Sequence, residues 1–409
     1  MIKADLRLQR PRGTKDYLPH ETRLIRAIEA KIRATFQLWG YAEVITPTFE
    51  HIEVLRQGTG PESDEVIFRF FDREGHTLGL RSDATTPIAR LAATRFAEAG
   101  SLLRLAYLTN IFRYVDPGMG REREFHQAGV ELIGSARPEA DAEVIELAAE
   151  VFAALSIEAY RLDLGEVSFI LGVLADSGLS AKEQRQVRLA LLNKDFVKLR
   201  EVLEAALISD HSKQQLFNLS QLRGGVEVIA EARKLTDNKQ AHAALDRLQE
   251  VCSLLSPEVL QCVQLDLGML KDLDYYTGVI FEGYVPELGY TVCTGGRYDR
   301  LIGRFGPDQP ATGFAFGIER LLELVRWPDA AGAPVYLGYA PDQRGEAHRL
   351  AELLRSQGIP TIWQLERAVQ PDALHLQVLA PNQYQLIHGD QVLSFASPVE
   401  ISAYLTSRK

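Results

Sequence analysis

Arg113 closes an apolar run, LRLAYLTNIFR, and a loop bearing Gly and Pro, VDPGMG, separates it from a second run that carries Arg121, Arg123, His126, Gln127 and Glu131. Two β-rich runs joined this way predict a hairpin. Alternation along the second strand places Arg123, Phe125, Gln127, Gly129 and Glu131 on one face, so an amide and a carboxylate meet there. That pair suits an ammonium or imidazole ligand, and Arg113 suits a carboxylate or phosphate. A solvated, salt-bridged hairpin face is the alternative reading of the same residues.

Three further segments bring polar groups to strand ends. DYYTG (274–278) puts two tyrosines and an acid at the mouth of a strand, and CTGGRYD (293–299) reads as a Gly-Gly turn followed by Arg297, Tyr298 and Asp299. Sheet packing and a plain hairpin turn are the alternatives. GFAFGIERL (313–321) joins a strand to a helix with Glu319 and Arg320 in its first turn; Arg320 could stack on a base, hold a phosphate or be a surface charge. RQGTGPESDE (56–65) is neither a Walker A loop nor GxGxxG and reads as a polar connection. The nine histidines show no zinc spacing, and no activated nucleophile is recognisable, so neither a metal nor another cofactor is expected.

The elements that must carry these residues belong to an ordinary folded chain of 409 residues, with 46% hydrophobic and 24% charged residues. A formal charge of −10 leaves no overall basic field, so nucleic acid is not expected as a partner. Three unpaired-looking cysteines fit a reducing cytoplasm, and no apolar stretch predicts export or a membrane span. Leu24, Ile25, Ile28, Ile32, Phe36 and Trp39 predict an opening helix ended at Gly40. Short β-rich runs follow, with VIFRFFD (66–72), LRLAYLTNIFR and EFHQAGVELIG reading as neighbouring sheet strands. An all-helical insertion is expected at about 174–256 within a first domain, 1–326. A linker rich in Pro, Gly and Ala, 327–334, then precedes a small C-terminal α/β domain, 335–409, whose six basic and seven acidic residues from Gly332 onward give no sign of RNA binding.

Taken in order, PRGTKDYLP, TPTFE, LRSDATTPIAR, FRYVDPGMGREREFHQAGVE, LDYYTGVIFE, GGRYD and GFAFGIERL resemble the class II histidyl-tRNA synthetase family over residues 10 to 325. The resemblance implies an α+β fold: a six-stranded antiparallel sheet core flanked by helices, a helical insertion, and a C-terminal domain like a reduced anticodon-binding domain. It implies dimerisation through the region of TPTFE. It also implies a histidine pocket of Asp83, Thr85, Arg113, Gln127, Glu131, Lys271, Tyr275 and Tyr276, walled by Gly295 and Gly296. Arg121, Arg123 and Arg320 are implied as contacts of a vestigial nucleotide site.

Two departures bear on activity. The family's Arg-Gly before LDYY is Lys271-Asp272 here, and a Lys cannot reproduce a planar bidentate grip on a developing phosphate charge. The family's Glu-Arg-Pro-Gln is Val115, Asp116, Pro117 and Gly118. The chain therefore resembles the regulatory branch of that family, with SDATTPIAR and LLNKDFVKL in its style. That resemblance implies a non-catalytic protein that binds L-histidine as effector. Its implied partner is the short-form catalytic subunit of ATP phosphoribosyltransferase, HisG, joined as a homodimer within a hetero-octamer for the first step of histidine biosynthesis. Histidine–tRNA ligation is the alternative activity, and a sensor acting on another target is a third.

Overall fold

The computed structural model describes residues 5–59, 65–96, 102–118, 122–271, 275–327, 334–364 and 373–407, which divide into two units, Met1–Val325 and Arg326–Lys409. The first long element, α1 (Pro19–Leu38), buries Ile25, Ile28, Ile32 and Phe36 along one stripe, and Gly40 (φ +78°) turns the chain past its C-cap. There follow β1 (Ala42–Glu43), β2 (Phe49–His51), α2 (Ile52–Thr59), β3 (Arg69–Phe71), β4 (Thr77–Leu80), α3 (Thr85–Arg95), β5 (Leu103–Phe112), β6 (Glu124–Ile133), α4 (Pro138–Ala154) and β7 (Arg161–Glu166).

The helical stretch comes next: α5 (Val167–Ala175), α6 (Ala181–Leu192), α7 (Phe196–Ala205), α8 (Asp210–Leu219), the two-residue β8 (Arg223–Gly224), α9 (Val228–Ala232), α10 (Lys239–Leu254) and α11 (Pro257–Gln261). Its helices carry polar N-caps: Ser180, Asp195, Ser209, Asn238 and Ser256 each accept a backbone N–H of the first turn they precede. The chain returns to the sheet through β9 (Val263–Asp266), β10 (Val279–Tyr284), β11 (Thr291–Arg297) and β12 (Ala311–Gly317), and α12 (Ile318–Leu324) ends the unit.

Nine strands lie in the order β1-β5-β6-β12-β11-β10-β7-β9-β8. The six from β5 to β7 are antiparallel throughout, while β1 adds to β5 and β9 adds to β7 in parallel. One face is apolar and meets α1 and α4: Phe36 packs edge-on to Phe314 at 5.9 Å between ring centroids and Phe152 to Phe316 at 5.0 Å. Full burial of such a side chain contributes about 2 kcal/mol. This mixed sheet flanked by helices has the expected α+β arrangement, an antiparallel six-stranded core with helices packed on it.

Four local expectations are overturned. Arg69–Phe71 of the VIFRFFD run is not a neighbour of β5 but the edge of a separate three-stranded sheet, β2-β4-β3. Period-two alternation marks a strand without saying which sheet takes it. Arg56–Thr59 of the expected polar connection completes α2, because Ile52 and Leu55 anchor that helix in a buried cluster with Ile67; residues 60–64 lie outside the described residues. Gly295 and Gly296 form no turn. They sit inside β11, where a Cβ on Gly295 would meet the Phe281 ring and the Gly313 carbonyl. The helical stretch also contains the short β8, which pairs with β9.

The second unit is a five-stranded sheet ordered β14 (Thr361–Trp363), β13 (Val335–Tyr339), β15 (Leu374–Ala380), β16 (Gln383–His388), β17 (Gln391–Phe395), with α13 (Arg344–Ser356) and α14 (Pro398–Thr406). Leu337, Leu350, Leu354, Leu376, Leu386 and Ile401 share its core.

Candidate functional site

The sheet face opposite α1 and α4 is built with a depression. Register places Gly129 of β6 beside Ala315 of β12, Glu131 beside Gly313, and Gly296 and Thr294 of β11 beyond them. Small side chains at the centre lower the floor, while Gln127 and Glu131 stand on one side and Glu282 and Tyr284 of β10 on the other. The helix α3 and the turn between α6 and α7 approach this face, and the result is a cavity of about 590 Å³.

Asp83, Arg113, Gln127, Lys271, Tyr276 and Arg320 line it. Asp83 accepts from the backbone N–H of Thr86 at 2.7 Å and from its hydroxyl at 3.0 Å, which fixes the carboxylate at the start of α3. Burial raises its pKa despite those bonds and the Arg113 charge. Arg113 donates through Nε to the Ser82 carbonyl at 2.8 Å and lies over the Phe125 ring, leaving the rest of the guanidinium for an anionic group. Burial and the neighbouring Arg113 charge lower the Arg320 pKa, and that guanidinium donates to the Thr291 carbonyl.

Thr85, Glu131 and Tyr275 form the layer behind the wall rather than the wall. Glu131, only 2% exposed, accepts from the Thr85 hydroxyl at 2.7 Å and from the Tyr298 hydroxyl. Burial pushes its carboxyl up to about 8, and the nearby Asp83 adds to this against the two hydrogen bonds. Tyr275 stacks obliquely on Tyr276 at 4.8 Å and meets Tyr298 edge-on at 5.5 Å, so the three rings brace the acid.

Lys271 is present but committed. Its ammonium pairs with Glu282, which also accepts from the Tyr284 hydroxyl. Burial lowers the Lys271 pKa; burial alone would raise Glu282, but the Lys271 charge and both hydrogen bonds outweigh it and hold that carboxyl below its usual value. The other expected cations differ in placement. Arg123 is not part of the lining; it donates to the Val115 carbonyl at 2.9 Å with its guanidinium 4.4 Å from the Tyr114 ring centroid. Arg121 lies outside the described residues.

The architecture agrees with that of known proteins. The histidyl-tRNA synthetase family profile matches residues 13–321. The chain belongs to this family. Within it, ATP phosphoribosyltransferase regulatory subunits are similar over nearly full length: 41% identity over 375 residues to that of Moorella thermoacetica, covering 91% of this chain and 96% of the relative. The subunit of Desulforamulus reducens is 39% identical over 86% of this chain and 88% of its own. A solved structure, "ATP phosphoribosyltransferase regulatory subunit/histidyl-tRNA synthetase" from Bacillus halodurans, superimposes with a TM-score of 0.83 at 32% identity, covering 91% of this chain and 98% of that one. A histidyl-tRNA synthetase from Nostoc shares the fold with a TM-score of 0.81 at 20% identity, over 98% of this chain and 99% of the other.

Seen as a family member, the chain holds site residues that sequence reasoning did not assign. Tyr298 and Glu282 stood inside recognised motifs, but neither motif says that one braces Glu131 and the other takes up Lys271. Glu319 joins the N-terminal segment to the cavity: it accepts from the Tyr17 hydroxyl at 2.9 Å and from the His126 backbone at 2.9 Å, and meets the His126 ring at 2.7 Å. That hydrogen bond raises the His126 pKa against burial. Lys194 and Arg223 enter the lining from the helical stretch, more than 60 residues away in sequence from β6; Lys194 stood inside LLNKDFVKL, but that motif does not say that it reaches the cavity.

Proposed function

We propose that this chain is the regulatory subunit of an ATP phosphoribosyltransferase, required by a short-form catalytic subunit and conferring feedback inhibition by L-histidine. The observation that carries the reading is the 41% identity, spanning almost the whole of both chains, to a protein of that name. The cavity supports it chemically. Asp83 and Gln127 suit an α-ammonium, Tyr276 suits the edge of an imidazole, and Arg113 suits a carboxylate.

The reading makes the chain non-catalytic. A group that stabilised a transferring phosphate would need charge free to meet it, and Lys271 is engaged by Glu282. Histidine would act by linkage, favouring one arrangement of the hetero-oligomer, a hetero-octamer containing dimers of this chain in the cytoplasm. The Asp83, Thr85, Arg113, Gln127, Glu131, Lys271, Tyr275 and Tyr276 set is then the effector site in two layers.

The test is reconstitution with a short-form catalytic subunit, reading phosphoribosyl-ATP formation with and without histidine. Activation by this chain and suppression by histidine are expected. Histidine-dependent ATP–pyrophosphate exchange by the isolated chain at a synthetase-like rate would overturn the reading in favour of histidine–tRNA ligation.

A further inference from the structure

The turn between α6 and α7 ends α6 with a Schellman motif: the Asp195 N–H donates to the Ala190 carbonyl at 2.8 Å and the Lys194 N–H to the Leu191 carbonyl at 3.0 Å. The residue at its left-handed position is Lys194, at φ +54°. Glycine adopts that conformation without penalty and a lysine does not, so the backbone gains nothing from a side chain there. An unfavourable conformer at a cavity edge points to a role for the side chain.

Lys194 lines the cavity together with Leu191, Leu192 and Phe196. The other two cations on this side are neutralised, Lys271 by Glu282 and Arg223 by Asp266. The Lys194 ammonium makes no hydrogen bond or ion pair with any described residue, yet its charge acts on both Lys271 and Glu282. The insertion side of the cavity therefore carries one uncommitted ammonium beside a self-neutralised pair.

We propose that Lys194 is a binding residue of this cavity that receives the carboxylate of the amino-acid effector from the insertion side. The inference rests on the effector reading above and deepens it. A carboxylate held between Lys194 and the sheet-borne groups would join α6 and α7 to the β6–β12 face, so occupancy would be felt by the insertion as well as by the core.

The test uses the full chain and two probes, L-histidine and histamine, which lacks the carboxylate, measured by isothermal titration against wild type, Lys194→Gly and Lys194→Asn. Both substitutions suit the left-handed position, so melting temperatures should hold or rise. Histidine should bind the variants about tenfold more weakly, the size of one charge-assisted contact, while histamine changes less than twofold. Unchanged histidine affinity in both variants, or equal losses for the two probes, overturns the proposal while leaving the effector reading intact. A wild-type chain that binds neither probe overturns the effector reading and, with it, this assignment.

Discussion

Replacing Glu131 by Gln should stabilise the larger unit increasingly with pH. The carboxyl is buried and hydrogen-bonded to Thr85 and Tyr298, and burial pushes it up to about 8 from an ordinary 4.5. Below pH 4.5 folded and unfolded chains both carry the proton, and this group adds no pH dependence. Between 4.5 and about 8 the unfolded chain releases it while the folded chain keeps it, so stability falls as pH rises. At about 1.4 kcal/mol per pH unit, the loss approaches about 5 kcal/mol as an upper figure at pH 8 and about 3 kcal/mol at pH 7. Gln keeps the shape, accepts one hydroxyl proton and has no charge to desolvate. Hydrogen exchange of the β6 amides in urea, at pH 5, 6, 7 and 8, reports the larger unit directly. The stability difference between Glu131→Gln and wild type should widen steadily across that series. A difference that stays flat with pH would refute the claim that this carboxyl is held neutral by burial.

Three other outcomes follow from the same geometry. Lys271→Met should cost about 2 kcal/mol by stranding the half-buried Glu282, and Lys271→Met with Glu282→Gln should recover much of it, as a double-mutant cycle in urea unfolding would show. Glu319→Gln should drop the His126 pKa towards 6.5 in a ring-proton NMR titration; the stability that the pair contributes, complete below 6.5 and lost as pH rises through the raised folded value, should vanish in the variant. Gly313→Ala should destabilise by about 2 kcal/mol, because its Cβ would meet the Glu131 carboxylate and the Val130 carbonyl, and calorimetry should show weaker histidine binding as the floor rises.

The fold was largely legible along the chain because its elements advertise themselves locally. The stripe Ile25, Ile28, Ile32, Phe36 acts between neighbouring turns of one helix, and local rules suffice for such a signal. The alternation of Gln127 and Glu131 is equally local, so their shared face could be read without coordinates. Residue type and order thus settle which groups are available, and with the motifs they settle the family.

What depended on the folded chain is the division of labour among those groups. Glu131 and Asp83 are both carboxylates of one pocket, but only register and the packing of three tyrosine rings put Glu131 in the layer behind and Asp83 on the wall. Lys271 counts as a cation in the sequence and as half of a neutral pair in space, because β10 brings Glu282 beneath it. Lys194 reaches the cavity through a turn whose distance along the chain conceals its proximity. Burial and charge pairing are sums over neighbours from many segments, and those sums exist once the chain has closed on itself.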